Sequence, residues 1–128
     1  VWTEAELQSY KEAFHSQSLL PFVDLMSDRA CLVDGKNGAR YLALEYERTL
    51  KKNSRNRNKL DGYYQQSTIP AVLYVCETSG IMKSLMQVDE NLCKDRASKM
   101  YFCLMDDIRK SPEKITFQRY DDRQLVFR

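Results

Sequence analysis

A mixed α/β fold, one central sheet flanked by helices, is what this chain predicts. Three observations carry it. Ile69–Cys76 is a continuous apolar, β-branched run of the kind found in a strand buried on both faces. A second such run, Met100–Met105, follows a stretch with helical apolar spacing. Two buried strands that each follow a helix imply crossover connections and parallel pairing. Upstream, two strand-like runs separated by turn residues add an antiparallel hairpin.

Element by element, residues 3–17 predict a helix, with Thr3 and Glu6 as a capping box and Ala5, Leu7, Tyr10, Ala13 and Phe14 as its apolar stripe. Pro21 breaks that pattern, and Phe22–Met26 fits a short strand or a loop. Ala30–Val33 predicts a strand, Asp34-Gly-Lys-Asn-Gly a turn, and Arg40–Glu47 the returning strand. On that strand Leu42, Leu44 and Tyr46 share one face, while Tyr41, Ala43, Glu45 and Glu47 share the other. Arg48 to about Gln65 predicts a helix, with Leu50, Leu60, Tyr63 and Tyr64 as packing positions; Gly62 and three asparagines weaken it. Thr78 or Ser79 caps a further helix ending near Leu92, with Ile81, Leu85, Met86 and Val88 apolar. After Met105, Asp106-Asp107 and Ser111-Pro112 mark a loop with about one helical turn. Ile115–Phe117 and Leu125–Phe127 predict the final strands.

The 128 residues suffice for one domain with a real core, and no repeat or linker divides them. A chain that begins at Val1 reads as a fragment of a longer protein. With 43% hydrophobic and 30% charged residues the composition is that of a soluble globular domain. No apolar stretch is long enough to span a bilayer and no signal peptide is present, which points to the cytoplasm. Cys31, Cys76, Cys93 and Cys103 lack zinc or redox spacing, and three of them fall in strand-like runs. Small buried hydrophobes in a reducing compartment are expected. With a single histidine, His15, a His/Cys zinc site is disfavoured.

The net charge of +2 is uninformative, but its distribution is not. Arg48, Lys51, Lys52, Arg55, Arg57 and Lys59 lie in one stretch without an acid. Such a run either meets a polyanion or is a solvated helix face. It directly follows Glu45 and Glu47, which a strand places on one side. If the hairpin brings Asp34 near, three carboxylates and Lys51 supply the parts of a magnesium-dependent phosphodiesterase site. Mg²⁺ takes carboxylate oxygens plus water and phosphate, and a lysine stabilises the phosphate charge. The plainer alternative is a solvated Glu-x-Glu strand end beside an Asp-Gly hairpin turn. Tyr41, Tyr46, Tyr63 and Tyr64 lie near the motif, and packing is the commoner role for each. His15 as a general base and Asp106-Asp107 at a strand's C-terminal end are weaker candidates.

The run Ala43-Leu-Glu45-Tyr-Glu47-Arg-Thr49-Leu-Lys51, with Asp34 upstream, Leu60 and Tyr63-Tyr64 behind it and then Val72-Leu-Tyr-Val75, resembles a segment of plasmid replication-relaxation proteins and MobC-type relaxases. The resemblance covers about residues 30–80. These families look like members of the PD-(D/E)xK restriction-endonuclease-like class, so the resemblance implies that fold. It also implies a Mg²⁺ or Mn²⁺ ion held by Asp34 and Glu45. In that class the second position after the glutamate is usually lysine; here it is Glu47, and Lys51 would supply the cation. Val33 stands where a proline usually precedes the aspartate.

The resulting expectation is a metal-dependent DNA strand-nicking endonuclease, a relaxase domain of plasmid mobilization or conjugation. Asp34, Glu45, Glu47 and Lys51 form its catalytic set, and Arg48, Lys52, Arg55 and Arg57 contact DNA at a transfer or replication origin, with an accessory protein as a possible partner. The alternative is a catalytically silent DNA-binding module of a replication or transfer complex. A third reading is an interaction domain without nucleic acid.

Overall fold

The computed structural model describes residues 2–3, 27–35 and 38–128. Their elements are β1 (Trp2–Thr3), β2 (Arg29–Gly35), β3 (Gly38–Glu47), α1 (Asn53–Tyr64), β4 (Val72–Cys76), α2 (Ser79–Leu92), β5 (Met100–Leu104), α3 (Met105–Lys110), β6 (Ile115–Gln118) and β7 (Gln124–Phe127). The strands form one sheet in sequential order. β3, β4 and β5 are parallel, and the remaining neighbours pair antiparallel. The mixed α/β expectation is therefore met. Thr3 lies in β1, and the rest of the helix expected over 3–17, His15 included, falls outside the described residues along with Phe22–Met26.

The β2–β3 hairpin closes with Gly35 opposite Gly38. Gly38 has φ +102°, a conformation only glycine adopts without strain. The two parallel crossovers run in the same direction across the sheet. Crossovers share one hand, so both helices land on the same face. Leu60 and Tyr63 of α1 and Ile81, Leu85 and Val88 of α2 accordingly join Ala43, Val72, Tyr74, Met100 and Phe102 in one core. Tyr74 and Phe102 stack there at 5.6 Å between ring centroids. The other face carries Leu42, Leu73, Val75, Cys103 and Phe117, with Met105 and Ile108 of the short α3 packed against them.

β4 is buried at all five positions, as its unbroken apolar run requires. Thr78 caps α2, its hydroxyl oxygen accepting from the Ile81 N–H at 3.3 Å. All four cysteines are free thiols; Cys76, Cys93 and Cys103 are buried and Cys31 is half-buried.

Two expectations around α1 are corrected. The helix begins at Asn53, not Arg48. β3 stays paired to its end, where the Glu77 N–H donates to the Glu47 carbonyl at 2.9 Å. Residues 48–52 are then needed to carry the chain from the sheet to the helix layer above it. Leu50, expected to pack, lies in that connection and is 68% exposed. Among the described residues no helix is long and apolar enough to cross a membrane.

Candidate active site at the end of strand β3

Glu45 and Glu47 point toward the α1–α2 layer, on the face shared with Tyr41 and Ala43. Glu45 is only 3% exposed, an expensive place for a carboxylate unless polar groups meet it. They do. The Tyr63 hydroxyl, from the last turn of α1, donates to Glu45 Oε1. Lys59 Nζ, one turn earlier on the same helix, stands 3.4 Å from that oxygen. The Ser27 hydroxyl is 2.6 Å from the Tyr63 hydroxyl on its other side.

The register separates Asp34 from this site. Asp34 pairs with Ala39, six residues along β3 from Glu45, roughly 20 Å at the rise of a strand. An aspartate side chain does not span that distance, so the expected Asp34–Glu45 pair does not form. The acid beside Glu45 is Asp28, one residue before β2. Arg29 pairs with Leu44, so the next step back sets Asp28 against Glu45. Asp28 Oδ2 accepts the Tyr46 N–H at 2.8 Å, which fixes its carboxylate on this strand end.

Burial pushes the Glu45 carboxyl up from 4.5 to about 7; Lys59 and the Tyr63 hydroxyl pull it down, and the neighbouring Asp28 carboxylate adds to the rise. A strongly perturbed acid with a charged partner is a common mark of a functional site. Two adjacent carboxylates also fit a hard divalent cation, which takes one or two carboxylates and completes its shell with water. Among the described residues no group of three or more His, Cys, Asp and Glu side chains is arranged to hold a metal.

Glu47 and Lys51, expected to serve a metal and a phosphate, are paired with each other. Lys51 Nζ donates to both Glu47 oxygens, at 2.9 and 2.7 Å. Lys51 lies in the connection before α1, not on the helix, and the cation beside Glu45 is Lys59. Sequence reasoning missed both Asp28 and Lys59. Asp28 had a signal, an acid immediately preceding the strand that pairs with the Glu45 strand. Lys59 had one too, since it lies four residues before Tyr63 and shares its helical face; its ammonium sits 5.7 Å from the Tyr63 ring centre.

Arg48, Lys52, Arg55 and Arg57 are all exposed. Lys52 is the N-cap residue of α1, and the first turn has no acid. Positive charge at a helix N-terminus opposes the helix dipole, costing about 0.3–1 kcal/mol per residue. Beside it, Asn53, Ser54 and Arg57 of α1 and Gln87, Val88 and Asn91 of α2 line an open groove of about 350 Å³.

The tyrosines divide by role. Tyr63 is completely buried, and burial followed by the Glu45 charge raises its phenol. Tyr64 joins the two helices through its hydroxyl, which donates to Asp89 and lies 3.0 Å from Cys93 Sγ. Ser98 closes that cluster with a 2.6 Å bond to Asp89. Tyr46 points to the opposite face, where it donates to Glu77, and Tyr41 packs partly buried against the helical core. Asp106 and Asp107 sit in the first turn of α3, with Asp106 paired to Arg109 at 3.0 Å. Comparison with protein families, with curated proteins and with solved structures finds no match to this chain.

Proposed function

We propose that this domain is a metal-dependent DNA endonuclease of the nicking, relaxase-like kind, with a restriction-endonuclease-like core. The observation that carries the reading is the buried Glu45 carboxylate facing Asp28 at the ends of two adjacent strands, with Lys59 beside it. Support for the core comes from its order: an antiparallel hairpin, a helix, then a strand parallel to the hairpin's second arm. Asp28 and Glu45 take the metal-ligand role that the sequence assigned to Asp34 and Glu45.

Mg²⁺ or Mn²⁺, when bound, supplies Lewis-acid stabilisation of the phosphate and an activated water. The chain's own residues do the rest. Lys59 sets a positive charge beside the cleavage site, where it offsets charge developing on the phosphate. Arg48, Lys52, Arg55 and Arg57 hold the DNA backbone through charge that is not sequence-specific. The nucleophile in this reading is water, because the tyrosine at the site, Tyr63, is fully buried and its phenol is raised away from the ionised form.

A second reading, a catalytically silent DNA-binding module, is favoured by one observation: Glu47 is closed off by its two-oxygen ion pair with Lys51. Supercoiled plasmid separates the two. The nuclease reading expects Mg²⁺- or Mn²⁺-dependent conversion to the nicked circle, lost in Glu45→Gln. A protein that retards DNA at low salt but never nicks with either metal is the silent module. Absence of DNA binding at low salt removes both.

A further inference from the structure

Helices α1 and α2 are tied by the Ser84 hydroxyl, which donates to Asn53 Oδ1 at 3.3 Å. The groove of about 350 Å³ between them is lined by Asn53, Ser54, Arg57, Gln87, Val88 and Asn91. Three of these are carboxamides, one is a cation and none is an acid. Val88, the one apolar member, is buried. Gln87 and Asn91 are exposed and have no side-chain partner among the described residues. The Asn53 carbonyl oxygen is engaged by Ser84, so its N–H₂ group is the part left for a ligand. Lys52 and Arg55 adjoin Asn53 and Ser54 in the chain and are exposed.

We propose that this groove takes an unpaired base of a single DNA strand, with Asn53, Gln87 and Asn91 bonding the base edge and Lys52, Arg55 and Arg57 holding the adjoining phosphates. Phosphate is held chiefly by positive charge. A carboxamide carries both a donor and an acceptor, and so does a base edge. Gln87 and Asn91 can turn either group to the base, so the groove accepts bases of different kinds. In a duplex the base edges lie at the floor of a groove and are reached by elements that protrude. A recess instead takes a base turned out of the stack. Its volume lies at the low end of the range of small-ligand pockets, a size for one base and not for a folded partner. An acidic peptide would match Arg57 but would leave three carboxamides without a role. The inference rests on the DNA reading above and deepens it by naming the form of DNA that is bound.

An abasic strand provides the control, since it keeps the phosphates and lacks the bases. Fluorescence anisotropy at low salt would measure binding of a mixed-sequence single strand and of an abasic strand of equal length. The proteins are wild type, the double variant Gln87→Ala/Asn91→Ala, and Asn58→Ala, which removes an exposed α1 carboxamide outside the groove. Alanine is the best helix former, so the variants keep the fold, and urea unfolding checks it. Wild type and Asn58→Ala should bind the base-bearing strand at least about fivefold tighter than the abasic one. The double variant should bind both strands with the affinity that wild type has for the abasic one. Its salt slope should be unchanged, because neither lost side chain is charged. Equal wild-type affinity for the two strands overturns the groove assignment and leaves the DNA reading standing. A double variant that keeps the base preference, or an Asn58→Ala that loses it equally, also overturns the assignment. Mononucleotides that bind wild type as tightly as the strand would make this a free-nucleotide pocket and overturn it too. If wild type binds neither strand, the DNA reading falls and takes this inference with it.

Discussion

Replacing Glu45 with glutamine should stabilise this protein above neutral pH while abolishing the nicking proposed for it. Glu45 is raised from 4.5 to about 7, first by burial. Below pH 4.5 it holds its proton in the folded and unfolded chain alike. Between 4.5 and 7 the folded chain keeps a proton that the unfolded chain has released, so stability falls as pH rises. Above 7 the loss is complete. That interval corresponds to about 3 kcal/mol. Glutamine has no proton to lose, and its carbonyl can still accept from Tyr63. In metal-free buffer with chelator, Glu45→Gln should therefore match wild type near pH 4.5 and exceed it by up to about 3 kcal/mol at pH 8. For a chain of this length that is roughly 10 °C in melting temperature. Urea unfolding at half-unit pH steps gives both curves, and their difference removes the groups common to both proteins. A difference that stays flat from pH 4.5 to 8 would refute the argument, because it would mean that burial does not penalise the Glu45 charge.

The remaining predictions concern surface and scaffold. Arg55→Ala and Arg57→Ala should each weaken binding to unrelated DNA sequences alike, and each should lower the slope of log affinity against log salt by about one; unchanged slopes would place DNA elsewhere. Thr78→Ala removes the α2 cap and should cost about 1 kcal/mol in urea unfolding without altering Mn²⁺ affinity.

How far the sequence could be read depended on the range of the forces involved. β4 was legible because burial on both faces demands an unbroken apolar run, and α2 because Thr78 is a local cap with an apolar stripe behind it. The two faces of β3 followed from its alternation of side chains, which is why Glu45 and Glu47 were placed correctly. The partners of those glutamates were missed, although each left a local trace in the sequence. Asp34 drew attention through its Asp-Gly turn, yet strand register decides which acid faces Glu45, and register depends on where the hairpin closes. A residue at the turn lies at the far end of the hairpin from Glu45, so Asp34 could not reach it, and closure at Gly35 and Gly38 sets Asp28 there. The start of α1 was misplaced because helix propensity in Arg48–Lys52 yields to the need to leave a strand that stays paired to Glu47. Lys51 was then free to bend back onto Glu47, and the helical face bearing Tyr63 brought Lys59 to Glu45 instead.

The most direct test of this account sets the two aspartates against each other. Asp28→Asn can still accept the Tyr46 N–H, and Asp34→Asn alters only the far end of the hairpin, so both should fold. Mn²⁺-dependent nicking of supercoiled plasmid, measured on purified wild type and on these two variants, should be lost in Asp28→Asn and retained in Asp34→Asn. The reverse pattern, with Asp28→Asn active and Asp34→Asn inactive, would contradict the placement of the site at the Asp28–Glu45 strand ends.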